Sequence, residues 1–70
     1  MATWHVQYRP ETALQDEFVE AETAEVWRGE DLLVFGPDWS SGVYKRAPSI
    51  PLRFLLRVAN ADSGRVVYES

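Results

Sequence analysis

Glu11-Thr12-Ala13-Leu14-Gln15-Asp16-Glu17-Phe18-Val19-Glu20-Ala21-Glu22-Thr23-Ala24-Glu25-Val26-Trp27 is the stretch that decides whether this chain contains a helix. It holds neither Gly nor Pro, is rich in Ala and Glu, and sets Leu14, Phe18 and Ala21 at helical spacing. Other features argue for extended chain. Val19 and Ala21 alternate with Glu20 and Glu22, and Thr23, Val26 and Trp27 are residues that fit a pleated surface. A strand over 17–22 followed by a second over 24–28 also explains why the acids fall at every other position. The reading adopted is therefore two strands, with a helical turn around 11–16.

The flanks agree with extended chain. Trp4, Val6 and Tyr8 alternate with His5, Gln7 and Arg9, as in a half-buried strand with its aromatic face inward, and Pro10 ends it. Arg28-Gly29-Glu30-Asp31 reads as a turn in which Gly29 supplies the positive φ, joining 24–28 to 32–35 as a hairpin. Gly36 to Gly42 is a loop, Val43 to Arg46 a short extended piece, and Pro48-Ser49-Ile50-Pro51 is expected to forbid regular pairing. Next, Leu52, Phe54, Leu56 and Val58 share one face of a strand and Arg53, Leu55 and Arg57 the other. Asn60-Ala61-Asp62-Ser63-Gly64 predicts a type I turn closed by a left-handed glycine, returning 65–69 antiparallel. The fold class expected is all-β: five or six short antiparallel strands in a small barrel or curled sheet, forming one domain over residues 1–70.

At 70 residues with no cysteine, the chain has a thin stability margin and no disulfide to widen it. A single histidine makes a structural zinc site unexpected. Packing by three Trp, three Tyr and three Phe, or association with a partner, must supply the rest. The apolar runs are too short to span a bilayer, and Met1 to His5 carries no basic-then-apolar leader. The expectation is a cytoplasmic protein with no membrane partner.

Charge is unevenly placed. Between Glu11 and Asp31 stand eight acids against one base, Arg28, whereas Lys45, Arg46, Arg53 and Arg57 occupy 43–58 with no acid among them. Cross-strand neutralisation is the simpler reading, and a two-signed surface that recruits a charged partner is the sharper one.

Catalytic chemistry finds little footing. His5 lies in the phase opposite Trp4 and Val6 with no nucleophile motif around it, which reads as an exposed polar position. Glu20 with Glu22, or Glu30 with Asp31, could pair for acid–base work, but so small a core leaves little room for a cleft. None of Gly29, Gly36, Gly42 and Gly64 belongs to a phosphate-cradling fingerprint. No catalytic, cofactor-binding or metal-binding residue is assigned, and the protein is read as a non-enzyme.

Binding is the remaining class. Trp39, with Asp38 beside it, sits in the turn-rich loop as an aromatic anchor, and Leu55 is the apolar residue on an otherwise basic strand face. The first expectation is a protein–protein interaction or assembly module that binds another protein or itself through a β-surface and the Trp39 loop. A nucleic-acid-binding barrel using Tyr44, Lys45, Arg46, Arg53 and Arg57 ranks below it, because the net charge of −4 opposes phosphate attraction. A third reading is an acidic inhibitor that blocks a basic site on a partner through its N-terminal carboxylates.

Overall fold

The computed structural model describes residues 2–36 and 49–70. β1 (Ala2–Tyr8) turns Trp4, Val6 and Tyr8 inward as the alternation predicts. A 3-10 turn at Pro10–Thr12 follows, with proline in the first helical position and Ala13 closing it at φ 59°. This single turn is what remains of the helical tendency around 11–16. β2 (Glu17–Ala21) and β3 (Thr23–Trp27) come next, so the deciding stretch is extended. β4 (Leu32–Gly36), β5 (Ser49–Pro51), a second 3-10 turn (Leu52–Phe54), β6 (Leu55–Asn60) and β7 (Val66–Glu69) complete the described chain.

The strands form two antiparallel sheets, one of order β2-β1-β6-β7 and one of order β3-β4-β5. The chain passes between them at two corners, Glu22 and Leu52–Phe54. The result is a curled pair of sheets rather than a closed barrel. Their inner faces share one core: Trp4, Val6 and Tyr8 from β1, Val19 and Ala21 from β2, Leu33 and Phe35 from β4, Ile50 from β5, then Leu52, Leu55 and Val58. Tertiary context thereby overrides the helical propensity of an Ala/Glu-rich segment: β2 has the aromatic face of β1 to pair with, and Ala2↔Ala21 and Trp4↔Val19 bring the apolar faces together.

Glu22 turns the chain from one sheet to the other. The carbonyl oxygen of Ala21, just before the bend, is buried and accepts a hydrogen bond from the Trp4 indole Nε1 at 3.0 Å. An aromatic residue of the central strand thus supplies the donor at this corner. The alternation also places Glu17 on the inward face with Val19 and Ala21, where the Tyr8 hydroxyl donates to its Oε2 at 2.5 Å. Phe18, in the opposite phase, is outside.

Three local expectations require correction. The left-handed residue of the β3–β4 turn is Asp31 (φ 60°), not Gly29: the register Trp27↔Leu32 puts the reversal at the last turn position, which Asp tolerates. Ser49–Pro51 does pair, with β4, because it is an edge strand in which a proline's missing N–H is tolerated. The face assignment of 52–58 fails as well. Leu52 and Leu55 are buried, while Phe54 and Leu56 are 39% and 41% exposed. The 3-10 turn resets the phase, and Tyr8↔Leu55 beside Gln7↔Arg57 leaves Leu56 as the extra residue of a bulge.

The β6–β7 turn is closed by a left-handed glycine, as expected. Asn60 Oδ1 accepts from the backbone N–H groups of Asp62 (2.8 Å) and Ser63 (3.0 Å), the Gly64 N–H donates to the Asn60 carbonyl (2.8 Å), and Gly64 has φ 79°.

Two stability outcomes follow. Trp4→Phe removes the indole hydrogen bond to the Ala21 carbonyl together with part of the ring volume and should cost about 1–3 kcal/mol in urea denaturation. Gly64→Ala meets no neighbour within 4 Å, so its cost is conformational alone, about 1–2 kcal/mol by the same measurement.

Candidate functional site

Strand register decides which side chains share the solvent face of the four-stranded sheet. His5 pairs with Phe18 on one side and with Ala59 on the other, and Ala59 pairs with Val66. Phe18, His5, Ala59 and Val66 therefore form a single row across all four strands, one residue from each. His5 and Phe18 stack with ring centroids 4.8 Å apart and planes within 15°. Phe18 is 61% exposed, more than any other large apolar residue described, and Val66 is 39% exposed. Ala59 is buried yet stands apart from the core cluster, because it lies on the opposite face of β6 from Val58 and is shadowed by its larger row neighbours.

Polar residues border this row. On one side Asp16 Oδ2 lies 3.4 Å from His5 Nε2 and accepts from Gln7 Nε2 at 3.4 Å, while Gln7 is paired in register with Arg57 and Arg57 with Glu69. Arg57 Nε is 4.0 Å from Glu69 Oε2. On the other side stand Thr3 and Glu20, paired in register. Asp16 and Glu69 thus share one border with Arg57, the base there among the described residues, and Glu20 stands on the other. Asp16 and Glu69 side chains are 52% and 64% exposed, so both remain within reach of a second partner.

The solvent face of the three-stranded sheet carries a shorter row, Trp27, Leu32 and Pro51 in register. Here the Trp27 indole donates to Glu25 Oε1 at 3.1 Å. Where the two 3-10 turns meet, Glu11, Thr12, Leu14, Arg53 and Phe54 line a shallow, solvent-open depression of about 450 Å³. The Arg53 guanidinium lies 5.4 Å from the Phe54 ring centroid and its Nη1 donates to Asp31 Oδ2 at 3.0 Å.

The structure divides the residues singled out in the sequence. Trp39, Asp38 and Tyr44 lie outside the described residues, as do Lys45 and Arg46. Arg53 lines the depression and Arg57 borders the sheet row, each engaged by a carboxylate from a different part of the chain. Leu55 is a correction: it is fully buried in the core rather than displayed on a basic face, for the phase reset given above. The acids do not make one row. Glu17 is inside, Asp31 is paired with Arg53, and Asp16 is bound by Gln7. His5 lies on an open sheet face, stacked and contacted by Asp16. Phe18 falls at helical spacing with Leu14, although its phase opposite Val19 and Ala21 marks it as outward; Val66, expected inward with Tyr68, is a correction, because the register shift between Val58 and Ala59 sets it opposite Ala59 on the outer face.

Among the described residues no cluster of His, Asp and Glu could hold a metal ion, and no helix is long and apolar enough to cross a membrane. No family model, curated protein or solved structure matches this chain.

Phe18→Ser should leave the unfolding free energy within about 0.5 kcal/mol of the parent, whereas Leu55→Ala should cost about 2–5 kcal/mol; paired urea titrations compare the two.

Proposed function

We propose that this chain is a small non-enzymatic interaction module that docks another protein on the solvent face of its four-stranded sheet. The carrying observation is the row Phe18–His5–Ala59–Val66, held in register across four strands with its most exposed member an aromatic ring stacked on His5. Large aromatic side chains concentrate binding energy when a partner covers them, and a row on paired strands is already fixed before binding. The lone histidine is engaged on an open face rather than lining a cleft, which supports binding over catalysis.

The nucleic-acid reading loses weight against this. Arg53 and Arg57 each have a carboxylate beside them, at 3.0 and 4.0 Å, which lessens the local positive potential on which such binding depends. The acidic-inhibitor reading needs a continuous row of carboxylates, and the acids of 11–31 are divided between the core, two sheet faces and an ion pair.

Immobilised parent and Phe18→Asp chains, incubated with an extract of the native cells, should differ: the parent retains a partner that the variant loses, while both show the same melting curve by circular dichroism. Light scattering on each chain separates self-association from binding of a different protein. Identical captured sets would remove the sheet face from the reading.

A further inference from the structure

The border of the row gives the chemistry of what covers it. Among the described residues three carboxylates, Asp16, Glu20 and Glu69, flank the row, and Arg57 is the base beside it, with its Nε 4.0 Å from Glu69 Oε2. A second copy of this chain seated face to face would bring these carboxylates against an identical set, which costs binding energy. A phosphate backbone or an anionic bilayer meets the same repulsion. A basic protein surface gains instead.

The shape of the row narrows the occupant further. The backbone groups of β1 and β6 beneath its centre are committed to neighbours on both sides, so a strand could add only beyond β2 or β7 and would not cover the row. A helix satisfies its own backbone and needs only side-chain contacts. Four residues on adjacent strands span three inter-strand spacings, about 14 Å, and at 1.5 Å per residue that length matches about nine helical residues. Apolar side chains at i, i+3 or i+4, and i+7 would lie along such a row.

We infer that the acid-bordered outer face of the four-stranded sheet docks a basic amphipathic helix of a partner protein, its apolar side chains along Phe18, His5, Ala59 and Val66 and its lysine or arginine side chains reaching Asp16, Glu20 and Glu69. The inference rests on the docking reading above and adds the partner's charge and shape to it. Glu69, 4.0 Å from Arg57 Nε, stays well exposed and open to a partner's cation.

The test uses the full chain labelled with nitrogen-15 and two synthetic helices of about fifteen residues, one Leu/Lys and one Leu/Glu, with the same apolar stripe. Amide shifts on adding the Leu/Lys peptide should saturate and centre on 3–7, 16–20, 57–59 and 66–69. Phe18→Ser should weaken binding about 10- to 100-fold, Glu20→Lys about fivefold, and the Leu/Glu peptide should leave the face unperturbed. Shifts spread evenly over Glu11, Glu25, Glu30 and Asp62, with Phe18→Ser unchanged, would reveal diffuse charge attraction and overturn the inference. Equal binding of the Leu/Glu peptide at the row would overturn the charge assignment and leave the docking reading standing. If neither peptide perturbs the row, the inference fails, and the docking reading fails with it only where the Phe18→Asp capture comparison also shows no lost partner.

Discussion

The fold depends on how the chain turns the corner at Glu22. Two strands of five residues each are separated there by one residue, and each belongs to a different sheet. At that corner Ala21 is buried and paired with Ala2 on β1, and its carbonyl also accepts from the Trp4 indole. Trp4 serves the corner twice, because its indole is both core filler and donor. The same side chain occupies the inner face of β1 and ties it to the end of β2, where the chain leaves for the second sheet.

From that corner the rest is geometry. Because β2 pairs with β1 and β3 with β4, the inner faces of both sheets converge on one small core. With inward positions fixed, outward ones are fixed too, and the row Phe18–His5–Ala59–Val66 is the necessary reverse of Val19, Trp4, Val6 and Val58. The surface proposed for docking is thus not a patch added to the fold but the other side of its core.

Strand identity was legible where alternation was strong: β1, β2 and the β6–β7 turn read directly from Trp4-x-Val6-x-Tyr8, Val19-x-Ala21 and Asn60 to Gly64. The phase at the start of β6 was not, because alternation carries no signal for a bulge: the 3-10 turn at Leu52–Phe54 shifts Leu55 inward, and the bulge at Leu56 restores the expected phase at Arg57 and Val58. The prolines at 48 and 51 misled for a related reason. They forbid a central strand, and only the sheet order reveals that β5 is an edge. Phe18 was readable in principle, since its phase opposes Val19, but helical spacing with Leu14 offered a competing role. What no single strand shows is that outward residues of four strands align, since register is a property of pairs.

The buried contact between Glu17 and the Tyr8 hydroxyl gives the sequence a way to reject misaligned partners. Sliding β2 by one position along β1 would turn Phe18 inward, swing Val19 and Ala21 into water, and separate the carboxylate from the phenol that meets it. The alternation of apolar residues rejects a one-residue slip by itself, and the carboxylate adds a polar contact that a two-residue slip, which keeps the faces, would also lose. One acid in an oily interior, costly in isolation, therefore serves as a key that only a single alignment of these two strands can turn.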